Sequence, residues 1–404
     1  MGYYSELFDR IHAELTDYYF RWYFDRPMLI LPERDAELKR TTELLNRFLH
    51  FYAEHYEEFL PLIPYDGRVL RLLAMEKEGG RYRPGTARID YIISEEGRIG
   101  ICEITSRFFG NGYFLSFFAD KRGRELGKKA GLESEDERME EMLSVFASYA
   151  ESYNRICVLS SKDRSDSIRL YVPFYKALGK EVRIIPAEDI EKEAEAGTLD
   201  GTLIFSALNQ TDLLSLSDET VKKILAAEHR NDLRSVFLTH DKRVLSLIWL
   251  DEVTERIFTG AEAAYLREHV IRTWLYGQDE ARWEDARKNK DSYIVKHRCL
   301  GKSEKVYAGI LTSDEEWEKL FAEGAVREMI LQPFVRQRAV ENIWEEKTYT
   351  EYIAGTILML DDSYYGTGLF RSSSLPVLNK LDDRKVGYLR VEDTASYKGR
   401  FLVL

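Results

Sequence analysis

TARIDYIISEEGRIGICEIT, Thr86 to Thr105, holds two runs rich in β-branched and aromatic residues, Thr86–Ile93 and Ile99–Thr105, joined by a turn at Glu95–Arg98 that contains Gly97. That is the composition of a β-hairpin. Polar and apolar residues alternate on both arms, and side chains at i and i+2 share one face of a strand. Arg88 and Asp90 therefore point the same way on the first arm, as do Glu103 and Thr105 on the second. Ile89, Tyr91, Cys102 and Ile104 are left to face a core, which makes the polar side the wall of a cleft. An exposed, salt-bridged face would give the same pattern.

Carboxylates beside oxygen donors suit Mg²⁺, a hard cation that keeps waters or nucleotide phosphates in its remaining positions. Asp90 and Glu103 fit that role. The neighbouring Arg88 would offset charge on a phosphate oxygen or on an activated carboxylate.

Upstream of the hairpin, Leu7, Ile11, Leu15, Tyr18, Tyr19 and Trp22 recur at three- and four-residue intervals, predicting an amphipathic helix from Tyr4 to about Phe24 that Pro27 stops. A second helix is expected from about Ala36 to Phe59. Downstream, a helix over Glu135–Tyr153 leads into a β-α-β series: Arg155–Leu159, a helix near Ser165–Leu178, Glu181–Ile185 and Thr202–Phe205. A short apolar strand around Leu238 then runs into His240, Asp241 and Lys242. Later strands are expected at Ser292–Lys296, Val306–Ile310, Met329–Phe334 and from Trp344 onward. These patterns divide the chain into residues 1–134, 135–235 and 236–404, with boundaries near Glu135 and Ser235.

The 404 residues exceed one ordinary core of roughly 100–200 residues, so several packed lobes with a cleft between them are expected. Acidic residues number 70 against 58 Lys plus Arg, a net charge of −12 that repels nucleic acid. Three cysteines, Cys102, Cys157 and Cys299, lack metal-ligand spacing and are odd in number, which favours a reducing compartment. Asp9, Arg10, Glu14 and Asp17 interrupt the first helix, so it is no signal peptide, and no run reaches the ~20 apolar residues of a membrane span. A cytoplasmic protein without nucleic-acid or membrane partners is expected.

Lys242 and Lys296 each follow an apolar strand, which sets a point charge at a cleft mouth as a nucleotide phosphate requires. After Lys296 come the turn Leu300-Gly301-Lys302-Ser303-Glu304-Lys305, the strand at Ile330–Val335, then Gly366, Gly368, Arg371 and Asn379. Ser372–Ser374 has no His and acid at readable spacing for nucleophilic work. Asp361 and Asp362, adjacent in a strand, point oppositely and do not form a paired metal site. His297 reads as a supporting neighbour of Lys296.

This series resembles the nucleotide site of ATP-grasp enzymes. With the Arg-x-Asp and Glu-x-Thr hairpin ahead of it, the chain is similar to the circularly permuted glutathionylspermidine synthetase-like branch, and more distantly to eukaryotic glutathione synthetase. The resemblance implies an α+β or α/β, ATP-grasp-like fold with N-terminal helices and a pre-ATP-grasp α/β lobe. It implies ATP and Mg²⁺ as cofactors, with Arg88 and Arg371 catalytic, and Asp90, Glu103, Thr105 and Asn379 at the metal. Lys242, Lys296, Gly301 and Ser303 would hold phosphates, while Gln332, Phe334 and Val335 would border adenine. Ser106 and Asn111, just past the hairpin, would meet substrate. The implied activity is amide-bond formation between a carboxylate and an amine through an acyl phosphate. The acids left open are a small molecule, an amino acid, a peptide or a carrier-protein-bound acid.

The pattern departs from the family at three places. Thr105 stands where Asn is usual, Gly301 is the single glycine of a normally glycine-rich loop, and Pro333 replaces a common acid after the hinge Gln. A nucleotide- or peptide-binding protein with little turnover is the alternative reading.

Overall fold

The protein is described by a computed structural model covering residues 2–134, 136–162, 167–301, 303–378, 384–392 and 401–404. The expected boundary at Glu135 falls outside them.

Thr86–Ile93 and Ile99–Thr105 pair antiparallel over the expected bounds, Arg88 opposite Thr105 and Asp90 opposite Glu103. Burial alternates residue by residue along the first arm from Ala87, with Ile89 and Tyr91 wholly enclosed. The second arm breaks its alternation once. Asp90 pairs with Glu103 but Tyr91 with Ile101, so Cys102 is an extra residue, a β-bulge. The bulge turns Cys102 onto the polar face beside Glu103, correcting the expectation that it faces the core.

The hairpin's partner is the 14-residue strand Lys347–Leu360, which pairs with Thr86–Ile93 and also with Ala339–Trp344, Ser363–Thr367 and Phe370–Ser373. Together with Lys385–Val386 these make a seven-stranded sheet. Its apolar face shares one core with Leu45, Phe48, Leu49 and Tyr52 of the helix Pro32–His55. Pro32 opens that helix, Glu33 and Asp35 lie in its first turn and His55 in its last, each placed to suit the helix dipole. The four residues Tyr56–Phe59, expected to continue it, tighten into a 3₁₀ turn.

The first predicted helix is two, Tyr3–Ile11 and Ala13–Phe20. They break at His12, whose buried ring sits 2.9 Å from the Leu170 carbonyl oxygen. Residues 155–230 form a four-stranded parallel sheet in the order Glu181–Pro186, Arg155–Ser160, Leu203–Ala207, Glu228–Arg230.

The run around Leu238 is a wide helical turn, Ser235–Thr239, and no strand. All five residues are buried, so the apolar run carries no periodicity that separates strand from helix. Lys242 therefore follows a helical turn.

A smaller four-stranded sheet runs Val306–Ala308, Tyr293–His297, Met329–Pro333, Trp274–Leu275, packed on Trp283 and Trp317. Last, Met28–Ile30 lies parallel between Tyr388–Arg390 and Leu402–Val403. Among the described residues no helix is long and apolar enough to cross a membrane.

Candidate active site

The polar face of the hairpin walls a cavity of about 340 Å³. Arg88, Asp90, Glu103 and Thr105 line it, as alternation requires, together with Cys102 from the bulge. Arg88 grips Asp90 with two hydrogen bonds, Nε to Oδ1 at 2.7 Å and Nη2 to Oδ2 at 2.9 Å.

Lys242 and Lys296 line the same cavity. Lys242 is 2% exposed, its Nζ 3.4 Å from Glu103 Oε2 and donating to the Leu300 carbonyl at 2.7 Å. Its turn is held by Asp241, fully buried, which accepts from Arg243 Nη2 at 2.7 Å and from Arg298 Nη1 at 2.9 Å. The Lys242 backbone N–H donates to the Arg298 carbonyl at 2.9 Å, so the turn is stitched to the end of the strand that carries Lys296. His297 Nδ1 accepts the N–H groups of Cys299 and Leu300 and shapes the start of the following loop.

These charges set one another's protonation. Burial pushes the Glu103 carboxyl up, but Lys242, Lys296 and Arg88 outweigh it and hold it at about 2. Asp90 goes the other way: burial raises it, and Glu103 across the strand pair adds to that against the pull of Arg88. Burial, then Lys242 and Arg107, bring His240 down to about 3, so its ring is neutral between the Ile104 and Cys299 carbonyls. Cys102, raised by burial to about 12, keeps its proton and is no nucleophile.

The cavity also collects Asn111, Gly301, Ser303, Gln332, Phe334, Val335 and Arg371. Gln332 is fully buried. Its Nε2 donates to Thr273 Oγ1 at 2.9 Å and to the Cys102 carbonyl at 3.4 Å, while its Oε1 has no partner and is open to a donor. Ser303 donates its hydroxyl to the Leu378 carbonyl, and Gln337 Nε2 to that of Pro376, which straps residues 376–378 along the cavity edge.

Ser106 is not part of this lining. Alternation past the hairpin sends it into the core, 1% exposed, where its Oγ donates to the Ser235 carbonyl at 2.8 Å. Asn379 and Lys302 lie outside the described residues. Sequence reading missed Arg107, Cys102 and Gln337. Arg107 had a usable signal, because it stands two residues beyond Thr105 and shares its side of the chain.

Among the described residues no group of three or more His, Cys, Asp or Glu side chains is placed to hold a metal ion by itself. The donor set is two facing carboxylates and the Thr105 hydroxyl, which suits Mg²⁺ completed by water and phosphate oxygens. The raised Asp90 carboxyl fits such a cation, whose charge would relieve its repulsion with Glu103.

The mixed α/β fold with several sheets is similar to that of a glutathione synthetase-like protein. Residues 38–238 match the family model described as the AnkG N-terminal domain. The ATP-grasp enzyme ankG of Aspergillus thermomutatus is 23% identical to this chain, across 84% of it and 81% of that enzyme, so the chain is homologous to an ATP-grasp enzyme. The structure of a glutathione synthetase-like effector, GSS30 from Globodera pallida, covers 96% of this chain and 97% of its own with a TM-score of 0.59 at 12% identity. A putative gamma-glutamylcysteine synthetase from Methylobacillus flagellatus, also 12% identical, covers 87% of this chain and 88% of its own at a TM-score of only 0.38.

Proposed function

We propose that this protein is an ATP-dependent carboxylate–amine ligase that works through an acyl phosphate. Homology to an ATP-grasp enzyme supports an ATP-dependent ligase in general. The observation that carries the finer reading is the meeting of Asp90 and Glu103 with Lys242 and Lys296 in one cavity, Lys242 within 3.4 Å of Glu103.

Lys242 and Lys296 grip nucleotide phosphates, and Gly301 and Ser303 close over them. Gln332, Phe334 and Val335 border adenine, with Gln332 Oε1 ready to accept from its amino group. Asp90, Glu103 and Thr105 would hold Mg²⁺, which would neutralise phosphate charge when bound. Arg88 then leaves Asp90 for the substrate carboxylate, and Arg371 assists. A carboxylate is a poor electrophile at neutral pH, whereas its mixed anhydride with phosphate is a good one. The cavity orients the amine and excludes water until the amide forms. Asn111 meets the small-molecule, amino-acid or peptide substrate. The order of hairpin before lysines reads as circular permutation, over units 1–134, 135–235 and 236–404.

A second reading, a nucleotide-binding protein with little turnover, is favoured by the glycine-poor loop, where Ser303 and Lys305 take φ of 57° and 51°. The test is ADP release by purified protein with Mg²⁺, ATP and a panel of amino acids and polyamines. Release that depends on both an acid and an amine is expected; ATP binding without release would replace the ligase reading with the second.

A further inference from the structure

A phosphate loop normally supplies backbone N–H groups through its glycines. Here Gly301 is the one glycine between residues 300 and 305, which leaves a role at the outer phosphate for a side-chain donor. Arg107 lines the same cavity, beside the start of this loop. Just past the strand, Ser106 turns into the core and Arg107 comes back to the cavity wall. Its guanidinium stands 4.5 Å from the centroid of the Phe108 ring, a cation–π contact. A Cβ on Gly301 would stand 3.3 Å from Arg107 Nη2, so the guanidinium rests against the backbone at the start of the loop. Its charge reaches His240, two residues from Lys242. Arg88 occupies a different corner, where a Cβ on Gly112 would stand 3.2 Å from its Nη1 at the start of the helix Tyr113–Lys129. The two arginines thus serve different ends of one cavity.

We infer that Arg107 is a catalytic residue of the phosphoryl transfer, contacting the terminal phosphate of ATP. The carboxylate oxygen of the acid forms its bond to that phosphorus while the bond to the bridging oxygen breaks, and ADP leaves with the electron pair. Arg107 stabilises the charge spread over the transferring group, a task its planar fork of donors performs better than a lysine point charge.

This rests on the ligase reading, and the experiment separates the two. Titration calorimetry with Mg²⁺ compares ADP with the β,γ-imido analogue of ATP in wild type, Arg107→Met and Arg107→Lys. Arg107→Met, which still packs on Phe108, should bind the triphosphate analogue roughly tenfold or more weakly and ADP within about twofold. Arg107→Lys keeps the charge and should lose less, so it carries the test if the Met variant misfolds. Equal losses for both nucleotides, or no loss for the analogue, would overturn the role of Arg107 and leave the ligase reading standing. A wild type that binds neither nucleotide would end both.

Discussion

Glu103 is where chemistry and acid stability meet. Replacing it by Gln should cut ADP release by roughly a hundredfold or more, since it removes both the carboxylate proposed for Mg²⁺ and the partner of Lys242. Lys296→Ala should do likewise, with a thermal transition close to wild type. A large loss of stability would mark Lys296 as structural. A carboxyl held at about 2 against an ordinary 4.5 contributes stability that is complete above pH 4.5 and is lost as pH falls towards 2. Urea midpoints of wild type should therefore fall relative to Glu103→Gln across that window. The buried pair Glu76–His229, 3.1 Å apart, acts oppositely. Burial lowers the imidazole but Glu76 outweighs it and raises it, so between about pH 4.5, below which the lowered Glu76 carboxyl loses its own share, and pH 6.5 the pair contributes fully, and the contribution fades as pH climbs through the folded value of His229. His229→Gln should flatten the urea midpoint on that alkaline side.

Among the elements, the turn at Asp241 links the two lysine segments through Arg298. Asp241→Ala strands Arg243 and Arg298 without their shared carboxylate and should cost about 3–5 kcal/mol by urea titration. Gly123 lets the helix Tyr113–Lys129 lie against the strand Tyr388–Arg390, where a Cβ would collide with the Tyr388 carbonyl. Gly123→Ala should lower stability by about 1–3 kcal/mol, measured the same way. Both arms of the hairpin and the side-by-side placement of Arg88 with Asp90 were legible, because period-two alternation is written in the residues themselves. The bulge was not: one inserted residue leaves composition unchanged, and only pairing with the first arm reveals that Cys102 and Glu103 face the same way. The Ser235–Thr239 turn was illegible for another reason. A fully enclosed apolar run satisfies strand and helix alike, and the choice is made by neighbours such as Asp232, whose carbonyl accepts the Ser235 N–H at 2.9 Å.

At the scale of the molecule, the cavity exists only when the hairpin, the Lys242 turn, the small sheet and the 371–378 segment meet. That meeting was readable through resemblance, since no local pattern says that Arg88 and Leu378 line one space. A ligand held by all four segments must favour the folded state. Mg²⁺ with the imido analogue at a hundred times its Kd should add about 2.7 kcal/mol, seen as a raised thermal transition, and the double variant Lys242→Ala, Lys296→Ala should lose the shift. The three-stranded sheet has a temporal consequence. Among the described residues, Met28–Ile30 pairs with the strands 388–390 and 402–403. On the ribosome those three residues wait until residues 388–403 have been made, so the parallel sheet of 155–230 has its partners long before the strand Met28–Ile30 finds its own.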